Sequence, residues 1–448
     1  MNEKIFKAYD IRGVYEKDFD QEDVRKISKA YLQTLANLTV KPVSQLKIVI
    51  ARDIRNSSEK IHQIFIEEVL KYGVQIDDLD LISIDALYYI VGADQYDGGI
   101  MVTASHNPPE YGGLKMLSAG SEIIRGTELK EVVSNLEEFK LAPGKLNKLD
   151  IWSRYLDHVF SFVDLDKIKN LKLVADAGSG MAAINLPKIL DRLSQIDFVG
   201  LFMEPDGNFP HRNPNPLAPN ASDQLAAKVL ATQADLGAIF DADSDRILLV
   251  DEKGNLIKGD QILLLLSKAV LAKKPGSAIV YNLICSHAVP ELITAWGGVA
   301  VRSEVGFVNI KKHARENNAV MGGEVSAHFS FKDNYFSDSA FIALLLILEI
   351  LSSTDQKLSE LVKENTLYFK GDEVNLEVKD VQAELQKIRE KYQGQIKDEI
   401  DGITVEFSDR WFNVRASNTE PLLRVTVEGN TAEILAAQTK ELLELINN

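Results

Sequence analysis

The stretch Leu236-Gly237-Ala238-Ile239-Phe240-Asp241-Ala242-Asp243-Ser244-Asp245-Arg246-Ile247-Leu248-Leu249-Val250 sets three carboxylates at alternate positions between two apolar runs. Carboxylates this close repel one another unless a cation sits among them, and oxygen-only ligands favour a hard ion such as Mg2+ or Ca2+ over zinc. An EF-hand would use Asp241, Asp243 and Asp245 at positions one, three and five, with Glu252 at twelve. That loop needs glycine at its sixth position, where Arg246 stands, and a strand-like run follows. A solvated acidic turn remains the plain alternative. The flanking apolar runs favour a loop at a sheet edge that holds Mg2+ in a cleft, with Arg246 pointed at an anion sharing the ion.

The same order of events recurs elsewhere in the chain. Leu46-Lys47-Ile48-Val49-Ile50-Ala51 reads as a buried strand; Ser57 and Ser58 then offer N-caps, Ile61, Ile64, Phe65, Val69 and Tyr72 supply helical spacing, and Gly73 a stop. Leu171-Lys172-Leu173-Val174-Ala175-Asp176 starts a second copy, with a loop at 177–180 and a helix over 181–193. Ala278-Ile279-Val280-Tyr281-Asn282 starts a third, with a helix near 288–296. Repeated strand–loop–helix units predict α/β domains whose sites lie at strand C-termini. The last section differs: 403–407, 411–414 and 422–427 look like short strands, followed by a helix over 432–445, an α+β pattern. The expected architecture is three consecutive mixed-sheet α/β domains of similar topology (1–147, 148–252 and 253–366) and a C-terminal α+β domain (367–448) around a central cleft.

Composition narrows the class. The 448 residues are 45% hydrophobic, enough for several cores, and 50 basic against 66 acidic residues give a net charge of −16. That argues against partners such as nucleic acid or an anionic membrane, which need a basic face. The one cysteine, Cys285, excludes an internal disulfide. The N-terminus lacks a signal-peptide core, and the longest apolar runs, 262–266 and 341–348, fall far below the roughly 18 residues of a membrane span. A cytoplasmic protein is expected, as a monomer or small homo-oligomer.

Three further groups carry chemistry. Gly98-Gly99-Ile100-Met101-Val102-Thr103-Ala104-Ser105-His106-Asn107-Pro108 delivers Ser105 from a strand into a polar loop. Ser, Asn and Pro also form ordinary turns. A hydrolase elbow is not matched, and His106, being adjacent, activates Ser105 only through a special turn. A serine that carries a phosphoryl group beside Mg2+ fits better, since a metal neutralises the charge developed in transfer. Lys115 follows shortly, as a surface lysine or a shuttle for a hydroxyl proton. Glu324, Ser326 and His328 alternate, so on an extended segment they share one face suited to sugar hydroxyls; a structural histidine is the plain reading. Arg415-Ala416-Ser417-Asn418-Thr419-Glu420-Pro421 offers a guanidinium, two hydroxyls, an amide and backbone N–H groups, an inventory for a phosphate dianion as well as for a polar turn.

These four motifs, one per predicted domain and in this order, resemble the α-D-phosphohexomutase superfamily across the whole chain. Residues 103–108 match its phosphoserine loop, 241–246 its metal loop, 323–328 its sugar loop and 415–421 its phosphate loop. Tyr9-Asp10-Ile11-Arg12-Gly13 is similar to a further signature. The resemblance implies that Ser105 is the phosphoserine and that Asp241, Asp243 and Asp245 bind Mg2+ with an oxygen of its phosphate. It further implies Arg12, Lys115, His106 and Arg246 around the transferring group, Glu324, Ser326 and His328 on the sugar, and Arg415, Ser417, Asn418 and Thr419 on the phosphate that does not react. The implied reaction interconverts a hexose 1-phosphate and a hexose 6-phosphate through a bound hexose 1,6-bisphosphate.

The Glu-Val-Ser-Ala-His and Ser-Asn-Thr forms look most like phosphomannomutases and dual phosphomannomutase/phosphoglucomutases. Glucosamine mutases more often carry Gln in the sugar loop and Ser-Gly-Thr in the phosphate loop. Phe307 and Ile284 depart from the pattern, standing where many relatives place a histidine and a basic residue. The alternatives are a phosphoglucosamine or other phosphosugar mutase, a metal-dependent sugar phosphatase, and a sugar-phosphate-binding protein without catalysis.

Overall fold

The apolar runs at 47–51, 171–176, 236–240, 247–250 and 278–282 lie in strands of the computed structural model, which describes residues 1–417 and 422–447. The chain divides into two compact units, Met1–Ile262 with Ser326–Ser359, and Leu263–Val325 with Glu360–Asn448.

The first unit holds two sheets. One comprises β1 (Ile11–Val14), β2 (Lys47–Arg52), β3 (Gln75–Leu81), β4 (Gly98–Val102), β5 (Tyr111–Ser118), β6 (Glu122–Ile124) and β7 (Lys145–Lys148). Their order is β1-β5-β4-β2-β3-β7, with β6 beside β5. Pairing is parallel along β4-β2-β3-β7 and antiparallel where β5 meets β1 and β4. The other comprises β8 (Leu171–Asp176), β9 (Ile196–Leu201), β10 (Leu236–Phe240), β11 (Ile247–Asp251) and β12 (Leu256–Ile257), ordered β12-β11-β10-β8-β9. The β10–β11 pair is an antiparallel hairpin and every residue of both strands is buried, as strands covered on both faces require.

In the second unit β13 (Ala278–Asn282) pairs in parallel with β14 (Val299–Ser303) and β15 (Met321–Gly323). The first unit also contains the short hairpin of β16 (Phe329–Phe331) and β17 (Ser337–Asp338). The C-terminal sheet of the second unit is built from β18 (Phe369–Lys370), β19 (Val374–Glu377), β20 (Ile396–Asp398), β21 (Ile403–Glu406), β22 (Arg410–Ala416) and β23 (Leu422–Gly429), all antiparallel, with the helices Val381–Lys391 and Ala432–Asn447. The expected α/β and α+β characters are both present.

Some local expectations shift. The helix expected at 181–193 is Ala182–Leu190, and the helix after β2 is Ser58–Val69, ending before Tyr72 and Gly73. Ser57 sits at its N-cap without a side-chain cap bond. Residues 324–328 are not extended: a turn at 325–326 and a left-handed Ala327 (φ 69°) end the alternation expected of Glu324, Ser326 and His328. The apolar run 341–348 lies in the helix Ala340–Ser352, buried nearly all round, with Phe341 stacked on Phe240 of β10 at 5.4 Å between ring centroids. Among the described residues no helix is long and apolar enough to cross a membrane.

Asp85 ties the first unit together. Its carboxylate is buried and accepts from Ser83 Oγ (2.5 Å), Tyr155 Oη (2.5 Å), Ser339 Oγ (2.9 Å) and the Ala86 N–H (3.0 Å). Burial pushes its pKa up to about 6, and the four donors offset only part of that penalty. The unfolded carboxyl releases its proton near pH ~4. Between about 4 and 6 the native state therefore holds the extra proton, and stability falls as pH rises through that window, then levels. Urea unfolding of Asp85→Asn, followed from pH 4 to 7, is expected to lack about 3 kcal/mol of the fall seen in the wild type. Equal slopes would count against this role.

Candidate active site

The loop expected to hold a metal is the β10–β11 hairpin turn. Asp241, Asp243 and Asp245 are all buried, and ligand oxygens from the three lie within 4.8 Å of one another. Ser244 takes a left-handed conformation (φ 62°), which keeps the turn tight enough for the carboxylates to converge. Burial, followed by repulsion from Asp245 and Asp243, pushes Asp241 well above the ordinary carboxylate range. Burial acts the same way on Asp245, but Lys115, then His328 and Arg246, outweigh it and hold that group well below.

The compensating cations come from other segments. Lys115, at the centre of β5, donates to Asp243 (2.7 Å) and Asp245 (2.6 Å). Burial alone would lower its pKa; the two carboxylates outweigh that and keep the ammonium charged. Arg246 Nε lies 3.3 Å from Asp241 and 3.8 Å from Asp245. The turn after 326 bends His328 back onto Arg246 by a β-bridge, and its Nε2 stands 3.5 Å from Asp245. Lys115 and Arg246 offset part of the repulsion in this dry site, and Asp241 Oδ2 and Asp243 Oδ1 are buried without a hydrogen bond. An all-oxygen donor set with uncommitted lone pairs fits a divalent metal ion.

Ser105 meets this cluster from β4. It sits in a left-handed turn (φ 51°), the special turn that brings its Oγ to 3.2 Å from His106 Nδ1. That nitrogen also faces a guanidinium nitrogen of Arg246 in close contact. Burial, then Arg246 and Arg12, hold His106 well below its ordinary pKa, so the imidazole is neutral. Thr103 Oγ1 reaches Asp243 at 3.4 Å. Arg12, in β1, is fixed by Asp10 (2.8 Å to Nε) and donates to Asn107 Oδ1 (2.9 Å). β5 approaches so closely here that a Cβ on Gly113 would lie 2.1 Å from the Ile11 carbonyl oxygen and 2.8 Å from that of Thr103, which leaves room only for glycine.

Ser105, Lys115, Arg12, Arg246, His106, the three aspartates, Ser326 and His328 are thus all in the first unit, and Ser326 Oγ lies 2.9 Å from His328 Nδ1. Glu324, Arg415 and Ser417 are in the second. Glu324 is buried and accepts from the Gly306 N–H (2.7 Å) and Asn282 Nδ2 (3.2 Å). Ile284 is buried, and Phe307 is half-buried at the start of the helix Phe307–Glu316. Asn418 and Thr419 lie outside the described residues.

Sequence reasoning missed Arg424 and Arg55. Arg424 stands opposite Arg415 in the β22–β23 register, and both guanidiniums hold Glu373, at 2.8 Å from Arg415 and 3.2 Å from Arg424. Two guanidiniums on one carboxylate leave a net positive charge beside Ser417. Only the hairpin register could have signalled this. Arg55 is wholly buried, and it donates to the carbonyls of Ser105 (2.5 Å), Asn107 (2.5 Å), Pro108 (2.8 Å) and Tyr111 (3.2 Å), a role no spacing in the sequence announces.

This arrangement coincides with a known family. Residues 3–140, 153–254, 258–368 and 373–445 match, in turn, the α/β/α domains I, II and III and the C-terminal domain of phosphoglucomutase/phosphomannomutase. The chain is 34% identical over 462 residues to a phosphomannomutase from Salmonella montevideo, covering all of both chains. It is 33% identical to one from Methanocaldococcus jannaschii, covering 99% of this chain and 97% of that one. A phosphoglucomutase/phosphomannomutase family protein from Burkholderia thailandensis superposes with a TM-score of 0.89 at 28% identity, over 99% of this chain and 97% of that one. The chain belongs to the phosphoglucomutase/phosphomannomutase family. It is an enzyme, an isomerase of the phosphosugar mutase class.

If the carboxylate crowding is what draws in a cation, Asp241→Asn should melt higher than the wild type in EDTA. The wild type should gain about 2.7 kcal/mol at a hundred times the Mg2+ dissociation constant, and the variant almost nothing. Differential scanning calorimetry with and without MgCl2 reads both effects.

Proposed function

We propose that the protein interconverts mannose 1-phosphate and mannose 6-phosphate, and the corresponding glucose phosphates, with Ser105 as the phosphoryl carrier. The observation that supports this most is the meeting of Ser105, Lys115 and the three aspartates in one buried site. Phosphorylated Ser105 transfers its group to the free hydroxyl of the hexose phosphate, forming a bound hexose 1,6-bisphosphate. The sugar turns over in the site, and Ser105 takes the other phosphate.

Lys115 is the acid/base group. Its charged ammonium supplies the proton that Ser105 Oγ takes as the P–O bond breaks, and the amine so formed receives the proton of the attacking hydroxyl. Mg2+, held by Asp241, Asp243, Asp245 and an oxygen on Ser105, would neutralise charge on the transferring group. Arg12 and Arg246 flank that group, and neutral His106 accepts a hydrogen bond at Nδ1. Glu324, Ser326 and His328 orient the sugar hydroxyls. Arg415 and Ser417, joined by Arg424, hold the phosphate that does not react, together with Asn418 and Thr419. The apolar Ile284 and Phe307 reduce the polar contacts available to the sugar, which supports a site tolerant of more than one epimer.

In a coupled assay with mannose 1-phosphate and a trace of the 1,6-bisphosphate, Ser105→Ala is expected to lose about 10^4-fold in kcat. Full turnover by this variant would remove Ser105 from the mechanism, and phosphate release without isomer would indicate a phosphatase. Arg415→Lys, which cannot reproduce the two-pronged contact, should raise KM for the sugar phosphate about tenfold with a smaller change in kcat. Running glucose 1-phosphate and glucosamine 1-phosphate beside mannose 1-phosphate ranks the sugars.

A further inference from the structure

The Ser105 loop and the 241–245 loop rise from different sheets, yet phosphoryl transfer between groups they carry tolerates errors of only about 0.5 Å. The direct links between them are a long contact from Thr103 to Asp243 and contacts made by Lys115, Arg246 and His106, which belong to the proposed reacting groups themselves. A link that takes no part in the chemistry runs underneath, along residues 206–212.

At one end, the Phe209 ring is buried against the Arg55 guanidinium, 5.1 Å from its centre, beneath the four carbonyls of the serine loop that Arg55 holds. Asn56 Nδ2 donates to Asn208 Oδ1 (2.8 Å), and a Cβ on Gly207 would lie 2.7 Å from the Asn56 nitrogen and the Ile54 oxygen. Three residues beyond Phe209, Arg212 is almost fully buried. Its Nη2 donates to the carbonyl of Phe240 (2.6 Å), the residue before Asp241, while its Nε donates to Asp176 (2.9 Å) and Nη1 to the Asn213 carbonyl (2.9 Å). The guanidinium fills the space over Gly178, where a Cβ would meet it at 2.5 Å. The metal loop is gripped from the other side by Met181, whose N–H donates to the Ala242 carbonyl (2.8 Å).

We propose that residues 206–212 set the spacing between the serine loop and the metal loop, and that Arg212 is a positioning residue for phosphoryl transfer, acting through the Phe240 carbonyl. The segment carries the position of one loop to the other through two arginines that never touch substrate. This inference rests on the reading of Ser105 and the three aspartates given above.

The test uses the full-length enzyme with Arg212→Gln and Asp176→Asn combined, so that no buried charge is left unpaired. Calorimetric titration with MgCl2 is expected to show a dissociation constant raised about tenfold, and kcat to fall by about 10–100-fold, with KM for the hexose phosphate unchanged. Arg212→Lys keeps the charge opposite Asp176 but gives up the forked contacts, and it supplies the same readouts should the double variant not fold. Phe209→Leu, acting on the serine side, should lower kcat while leaving Mg2+ affinity at the wild-type value. Wild-type Mg2+ affinity and kcat in a folded Arg212 variant would overturn the proposal. So would a lowered melting temperature with unchanged Mg2+ affinity, or an unaltered kcat in Phe209→Leu. Ser105→Ala, run alongside, separates the two readings: full turnover there defeats the phosphoserine assignment itself. An inactive Ser105→Ala beside normal Arg212 variants defeats only the spacing role.

Discussion

Three carboxylates forced together in a dry turn are the constraint around which the first unit is organised. In water, Asp241, Asp243 and Asp245 would be separated by solvent. In the β10–β11 turn they converge, and burial multiplies their repulsion. Lys115 from β5 and Arg246, just before β11, offset part of it, and the crowding that is left is what a divalent cation would relieve. Under the proposed function the same cations that make the turn tolerable would also stabilise a transferring phosphoryl group, so that one electrostatic arrangement would serve stability and chemistry together.

The loops that carry reacting groups leave many backbone carbonyls without ladder partners, and each must be satisfied once buried. Arginine meets that need economically because its five N–H donors lie in a fixed fork. Arg55 covers four carbonyls of the serine loop, and Arg212 covers the Phe240 carbonyl while pairing with Asp176. Glycine does the complementary work where chains must touch, as Gly113 does between β1 and the end of β4. In the second unit, Arg415 and Arg424 share Glu373 beside Ser417, while Glu324 is preset by Gly306 and Asn282. Both of these donors belong to the part of the chain that also carries the buried Ile284 and the half-buried Phe307.

Local pattern alone decided a great deal. The strands Leu171–Asp176 and Ala278–Asn282 lie where the apolar runs put them, and the 236–250 stretch is the hairpin that its two runs and polar turn describe. Runs of Val, Ile and Leu bounded by polar loops have few other ways to be buried. The family was also legible, because each of the four motifs packs its donor types into a few consecutive residues. The extended reading of Glu324, Ser326 and His328 failed for a local reason: a left-handed Ala327 is not signalled by alanine, which rarely adopts it.

What the sequence by itself determined is therefore the inventory: which segments are strands, which loops carry carboxylates, hydroxyls and guanidiniums, and the kind of chemistry they share. What only the tertiary structure decided is the pairing. That Lys115 serves Asp243 and Asp245, that Arg55 holds the serine loop, and that Arg212 holds the metal loop all depend on contacts between residues far apart in the chain. Periodicity and spacing report on neighbours within a helix turn or a strand. Charges buried from water are balanced across sheets, and that balance exists only once the chain has folded.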